Sequence, residues 1–208
     1  MKILLIPILI TLHSSAISQT LNQNYLVTRK GDTIYCEIKS LKGKTIEYIE
    51  NNKNLKRANI YNYLDANIVD DSIIDNPLGL EIEKPEPGYA HVYFYRPYVY
   101  TGSALPCNVE YNGKMFINIK TNTYFLHKVK AGQVHVYNWV NSKKNIIAIN
   151  AIEGEIYFIR GSFAASFESW NHAPTSNPIA TNGMNIFLDN PNIARHVILT
   201  MKKQSPSY

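Results

Sequence analysis

The stretch over residues 87–140 most constrains what this chain can fold into: short apolar and aromatic runs are separated by turn residues, which is the pattern of one strand after another. Val92 and Phe94 alternate with His91, Tyr93 and Tyr95 until Arg96-Pro97 interrupts the run. Asn112-Gly113 stands between residues 109–111 and 114–119 as a two-residue hairpin turn requires, and Ala131-Gly132 predicts a second hairpin. Residues 146–151 and 155–159, with Glu153-Gly154 at the turn, predict two further strands that complete a sandwich.

Upstream, Lys30-Gly31-Asp32 separates Leu26-Val27 from residues 34–38, and Lys42-Gly43-Lys44 separates those from residues 46–49. Three or four meandering antiparallel strands follow from that spacing, an arrangement similar to small, strongly bent barrels. A peptide or oligonucleotide platform is the disfavoured reading of this module, since fold analogy does not carry function. Residues 70–87 are acidic, hold three prolines and lack sustained periodicity, so they read as a linker with enough apolar residues to pack locally. Residues 166–184 are rich in Ser, Thr, Asn and Pro and predict a long loop. Asp189-Asn190-Pro191 then offers a cap with proline at the first helical position, and Ile193, Ala194, Val197, Ile198 and Met201 recur at helical spacing. A helix is favoured there over a last strand through residues 197–200, with Lys202 and Lys203 suited to its carbonyl end.

The expected fold is therefore mainly β: a small N-terminal antiparallel β-module (19–70), a linker (71–86), and a β-sandwich with a short C-terminal helix (87–208). Fifteen tyrosines in a chain that is 45% hydrophobic and 18% charged fit a half-buried pleated core. The net charge of +5 is scattered over predicted turns without a basic stripe, which argues against a nucleic-acid partner. Residues 1–18 carry one cation, Lys2, an apolar run over 3–12 and small residues Ala16 and Ser18, the pattern of a signal peptide cleaved near Ser18/Gln19. That run falls well short of the ~20 residues a spanning helix needs. With no cysteine near the cleavage point, the expectation is a secreted or periplasmic mature chain without lipid anchor or membrane span.

A strand ending in Tyr95-Arg96-Pro97, then Gly102, a strand with an Asn-Gly turn over residues 109–113, Thr123-Tyr124-Phe125, the turn Ala131-Gly132-Gln133-Val134-His135, and Tyr157-Phe158-Ile159-Arg160 together resemble the DUF2846 family over roughly residues 87–165. That family occurs in exported and lipid-anchored bacterial proteins, and its function is unknown. The resemblance implies a small sandwich of the prealbumin or carbohydrate-binding-module type. Gln133 stands where the family's turn has histidine directly after glycine, so no role for that histidine carries over.

Candidate chemistry is sparse. His127 and His135 flank Ala131-Gly132 and would face each other across a hairpin, with His91 as a conceivable third zinc ligand, yet no further ligand stands at recognisable spacing, so no metal or cofactor is expected. Gly161-Ser162 is not a nucleophile elbow. Cys36 and Cys107 fall in different predicted modules without a neighbouring histidine, so neither catalysis nor pairing is favoured, and Glu153 and Glu155 bracket a turn where solvated charge is ordinary. No catalytic residue is expected and the chain reads as a non-enzyme. The most suggestive group is aromatic: Tyr89, Tyr93, Tyr95, Tyr98 and Tyr100, with Tyr137, Trp139 and Trp170. The odd-numbered alternation predicts that Tyr93, Tyr95, Tyr137 and Trp139 share a solvent-facing side, a surface for an envelope polysaccharide or envelope protein. A core role for the same side chains is the favoured alternative. Arg96 joins the candidates as an anion ligand, although ordering a turn is its more ordinary role. The competing function is a cell-envelope hydrolase.

Overall fold

The computed structural model describes residues 23–51, 53–76, 79–98, 104–140, 145–163 and 184–205. The expected signal peptide, nearly all of the loop over 166–184, Tyr100 and Trp170 lie outside the described residues.

Five strands form the N-terminal sheet: β1 (Tyr25–Thr28), β2 (Thr33–Lys42), β3 (Thr45–Glu50), β4 (Leu55–Asn59) and β5 (Tyr63–Asn67), in the order β4-β3-β2-β1-β5. This exceeds the three or four expected, because β4 and β5 carry few of the apolar residues that betray a strand. A bulge between Ile38 and Ser40 flips the parity of β2, so that Cys36, Ile38 and Leu41 all reach the core although their spacing changes from two to three.

The remaining strands make two sheets. β6 (Tyr89–Arg96), β9 (Thr123–Lys130), β12 (Ile156–Phe163), β13 (Met184–Leu188) and β14 (Lys202–Lys203) lie in the order β13-β12-β6-β9-β14. β7 (Asn108–Tyr111), β8 (Lys114–Asn118), β10 (Val134–Trp139) and β11 (Ile146–Asn150) lie in the order β11-β10-β7-β8. The Asn112-Gly113 turn joins β7 to β8 as expected, with φ of 49° and 77°, the paired positive values that a tight hairpin turn demands. Ala131-Gly132 closes no hairpin. β9 pairs with β6 while β10 pairs with β7 and β11, so this turn carries the chain from one sheet to the other. β11 and β12 likewise belong to different sheets, and β12 runs parallel to β6.

The sheet containing β6 is the middle of three layers. One face, built from Ala90, Val92 and Phe94 of β6, packs with Val109, Ile117, Tyr137 and Ile149 of the four-stranded sheet. The other face, with Tyr93, Tyr95, Tyr124 and Phe158, packs with the N-terminal sheet and with helix α1 (Pro191–Ile198). α1 starts as its sequence predicts: Asn190 Oδ1 accepts the Asn192 N–H at 2.8 Å, Pro191 occupies the first turn, and Ile193, Ala194, Val197 and Ile198 are buried. The segment expected as a linker also packs inward. Ile74 bridges to Leu41, Leu80 and Ile82 lie against the same core, and the Glu83 N–H donates to Tyr93 Oη at 2.9 Å.

Candidate functional site

The expected solvent-facing set Tyr93, Tyr95, Tyr137 and Trp139 does not form. Tyr93, Tyr95 and Tyr137 are at most 1% exposed and Trp139 is half-buried against the sandwich core. The four also face opposite ways, since Tyr93 and Tyr95 project toward the N-terminal sheet while Tyr137 lies between the sandwich sheets. The alternation of β6 is real, but it separates two interiors rather than core from solvent. On β10 the sense is reversed: Val134 is 61% exposed and His135 and Tyr137 point inward.

Tyr95 sits in a buried polar junction that ties three parts of the chain together. Tyr61, at the foot of β5, donates to the Tyr95 hydroxyl at 3.2 Å; Tyr95 donates to Asp189, and Arg160 Nε donates to the same Asp189 oxygen at 2.7 Å. The Arg160 guanidinium lies 4.1 Å from the centre of the Tyr61 ring, with the Phe187 ring 5.4 Å away. Arg29 closes the far side by donating to the Tyr61 carbonyl. Burial works against the Arg160 charge, yet the Asp189 carboxylate and the flanking tyrosines outweigh it and hold the guanidinium above its ordinary pKa. Burial, together with Asp189, pushes the Tyr95 phenol well above its usual value, so it stays a donor. The Tyr157–Arg160 run gave a sequence signal for Arg160; nothing in the spacing pointed to Tyr61 or Asp189.

Arg96 is 1% exposed, and its guanidinium donates to the Leu105 carbonyl at 2.7 Å and to the Ile119 carbonyl at 3.3 Å. It orders the turn before β7, the second of the two roles considered for it, and presents no surface to an anion.

A different aromatic group reaches the flank of the sandwich, where β9 lies over β8 and β7. Phe116 stands 4.5 Å from His127, 5.7 Å from Phe125 and 5.6 Å from Tyr111, centroid to centroid, and all four are half-buried. Behind them His135 Nε2 donates to the Lys130 carbonyl at 2.9 Å, which leaves Nδ1 to accept the Tyr111 hydroxyl at 2.7 Å. His127 Nδ1 lies 3.0 Å from the Tyr137 hydroxyl. Burial, with His135 nearby, pushes His127 down to about 4, so it is neutral at pH 7. The two histidines thus come together, though through separate sheets rather than across a hairpin. His91 lies on the opposite face of β6, with Nδ1 donating to the Glu83 carbonyl at 3.1 Å, and cannot join them. Among the described residues, no group of three or more His, Cys, Asp or Glu is placed to hold a metal ion.

Cys36 and Cys107 are free and buried, and burial pushes their thiols up to about 11 and about 12, away from thiolate chemistry. Glu153 is spent on a turn, accepting the Gly88 N–H at 2.9 Å. An open depression of about 410 Å³ on the N-terminal sheet is lined by Asn24, Tyr35, Glu37 and Asn51 among others, a mixed surface without a charged pair. No helix among the described residues is long and apolar enough to cross a membrane.

These features define a mainly β protein in which a two-sheet sandwich is buttressed on its second face by a further sheet and one short helix. Residues 86–175 match the family DUF2846, described as a protein of unknown function, so the resemblance carried by Tyr95-Arg96-Pro97 and Tyr157–Arg160 holds over that stretch. The match takes in β6 to β12 and leaves the N-terminal sheet, β13, α1 and β14 outside it. No curated protein matches the chain.

Proposed function

We propose that this is an exported, non-enzymatic protein that binds an uncharged envelope polysaccharide on the aromatic flank formed by Tyr111, Phe116, Phe125 and His127. The observation that carries the reading is the half-buried strip of rings itself, whose aromatic character suits stacking on sugar rings. With His127 held neutral by burial, the strip carries no charge at pH 7 and favours a neutral polymer over an acidic one. Buried groups elsewhere support a non-catalytic role, because Arg160, Asp189, Arg96 and His135 are each spent on contacts within the fold. Export is supported by the composition of residues 1–18.

The test is retention of the protein on immobilised envelope polysaccharide, with Phe116→Ala alongside and circular dichroism to show that both are folded. Retention that falls in Phe116→Ala, without release of soluble fragments, is the expected result. Fragment release identifies a hydrolase instead, and absence of retention removes the binding reading.

A further inference from the structure

The aromatic flank lies on a seam between two sheets. β8 ends the four-stranded sheet, and β9 is covered on its outer side by β14 at Thr123 and Tyr124. Phe125 and His127 follow on β9 beyond that cover, and Phe116 comes from β8. The rings there are half-buried rather than sealed, because no further strand closes the seam among the described residues.

The hydrogen-bonding group that this seam offers follows from the network beneath it. Tyr137 is fully buried, and among the described residues its hydroxyl has one hydrogen-bond partner, His127 Nδ1 at 3.0 Å. A buried hydroxyl proton without an acceptor is costly, so the Tyr137 hydroxyl donates and Nδ1 accepts. A neutral imidazole that accepts at Nδ1 carries its proton on Nε2, and burial keeps His127 neutral at pH 7. His135 has the same tautomer but spends its Nε2–H on the Lys130 carbonyl. His127 Nε2 makes no hydrogen bond among the described residues. Unlike His91 Nε2 and His196 Nδ1, which are sealed without a partner, it is not a buried orphan, so it reaches solvent at the seam. Its aromatic neighbours bring no competing acceptor. Phe116, 4.5 Å away between ring centres, and Phe125 are hydrocarbon, and the Tyr111 hydroxyl is turned inward on His135 Nδ1 at 2.7 Å. The strip therefore presents an N–H donor set among rings.

We propose that His127 Nε2–H is the specificity-determining donor of this surface and selects polymers that carry acetamido groups, the carbonyl accepting from Nε2 and the methyl packing on Phe116. The inference rests on the binding reading above and names the ligand class for it. A carbonyl suits a lone donor because it only accepts. A sugar hydroxyl that accepts from Nε2 brings a proton of its own, for which neither phenylalanine holds an acceptor, so it stays half-satisfied against an apolar surface. The acetamido methyl gains apolar contact where a hydroxyl would lose water. A carboxylate also only accepts, but it would give up its hydration among rings that hold no cation.

The experiment has two readouts, both on the full chain. Nitrogen NMR of the histidine rings at pH 7 is expected to find the His127 proton on Nε2; a proton on Nδ1 overturns the proposal before any ligand is added. Tetra-N-acetylchitotetraose and cellotetraose, which share one backbone and differ in acetamido against hydroxyl, are then titrated against the parent chain and the double variant His127→Phe, Tyr137→Phe. That variant replaces both partners of the buried hydrogen bond by apolar rings of similar shape, and circular dichroism checks its fold. The parent should bind the acetylated oligomer about fivefold more tightly, the worth of one neutral hydrogen bond, and the double variant should bind the two oligomers alike. Retention on envelope polysaccharide combined with equal affinity of the parent for the two oligomers overturns this inference and leaves the binding reading standing. Affinity for neither oligomer also overturns it, and with no retention on envelope polysaccharide the binding reading falls too. A preference that survives in the double variant overturns the role of His127. Should the double variant not fold, the proton position and the preference of the parent chain decide.

Discussion

Lowering the pH from 7 to 5 removes stability through two buried histidines. Burial pushes both His127 and His196 down to about 4, the latter although Asp71 lies 3.6 Å from its Nδ1 and pulls the other way. In the unfolded chain each titrates near ~6.5. A folded pKa below the unfolded one means that the stabilisation is whole above the unfolded value and disappears as pH falls toward the folded value. At pH 5 the unfolded imidazole is almost fully protonated while the native one remains neutral, so each histidine costs about 2 kcal/mol relative to pH 7, and the pair about 4 kcal/mol. His91, lowered by burial in the same direction, adds to this. Against a total of roughly 5–15 kcal/mol for an ordinary domain, that loss is large.

Glu47, Glu50, Glu83, Glu86 and Asp70 are held below their ordinary values by their hydrogen-bond partners, so the stability these five contribute is lost at lower pH than this window. The assay is urea unfolding at pH 7 and pH 5 at constant ionic strength for the parent chain, His127→Gln, His196→Gln and the double variant. Each single change should shrink the pH dependence by about 2 kcal/mol. Equal midpoints at the two pH values, or an undiminished dependence in the double variant, would show that these imidazoles are not held neutral by the fold.

Asp189→Asn leaves the Arg160 guanidinium buried without its counter-charge and should cost about 3–5 kcal/mol in denaturant unfolding; a loss under about 1 kcal/mol would mean that the junction is solvated. A Cβ on Gly161 would stand 2.6 Å from Cys107 Sγ, so Gly161→Ala should destabilise by about 1–3 kcal/mol and be partly rescued by Cys107→Ala, whereas strictly additive effects would deny the contact. Gly113 and Gly132 have φ of 77° and 76° with open space beside each, so valine at either should cost a similar ~1–3 kcal/mol, and a clear difference in their unfolding midpoints would contradict that equivalence.

Local signals were legible where local physics decides. Asn112-Gly113 dictates its turn because few residues accept two positive φ values in succession, and Asn190-Pro191 with Ile193, Ala194, Val197 and Ile198 dictates a helix because cap and periodicity agree. What a strand's second face meets is not local. His91, Tyr93 and Tyr95 alternate with Val92 and Phe94 as a half-exposed strand would, yet β6 is buried on both sides, because layers from distant parts of the chain cover it. Tyrosine permits that ambiguity, since its ring suits a core and its hydroxyl is satisfied there by the Glu83 N–H or by Asp189. Ala131-Gly132 misled for a related reason: glycine marks the change of direction, but whether the next strand pairs back or crosses to another sheet depends on partners further along the chain. The aromatic flank was equally hidden, because Phe116 meets His127 only once β8 and β9 are stacked.

The double-sided burial of β6 implies that the stretch resembling DUF2846 is not a complete folding unit in this chain. Taken alone, residues 86–175 would carry Tyr93, Tyr95, Tyr124 and Phe158 on a face now covered by the N-terminal sheet and α1. The same cut removes Asp189 from Arg160, β13 from the edge of β12, and the Glu83 contacts from His91 and Tyr93. An uncovered aromatic face of several large rings is an association hazard, and an uncompensated buried guanidinium is costly wherever it cannot reach water. A fragment of residues 86–175 should therefore bind a hydrophobic dye and unfold without a sharp transition, while a fragment of residues 23–205 unfolds cooperatively. The comparison is made by dye fluorescence and by near-ultraviolet circular dichroism during thermal unfolding. A cooperative transition in the shorter fragment, with the ordered aromatic signal of the longer one, would mean that the N-terminal sheet and α1 only rest against a sandwich able to stand without them.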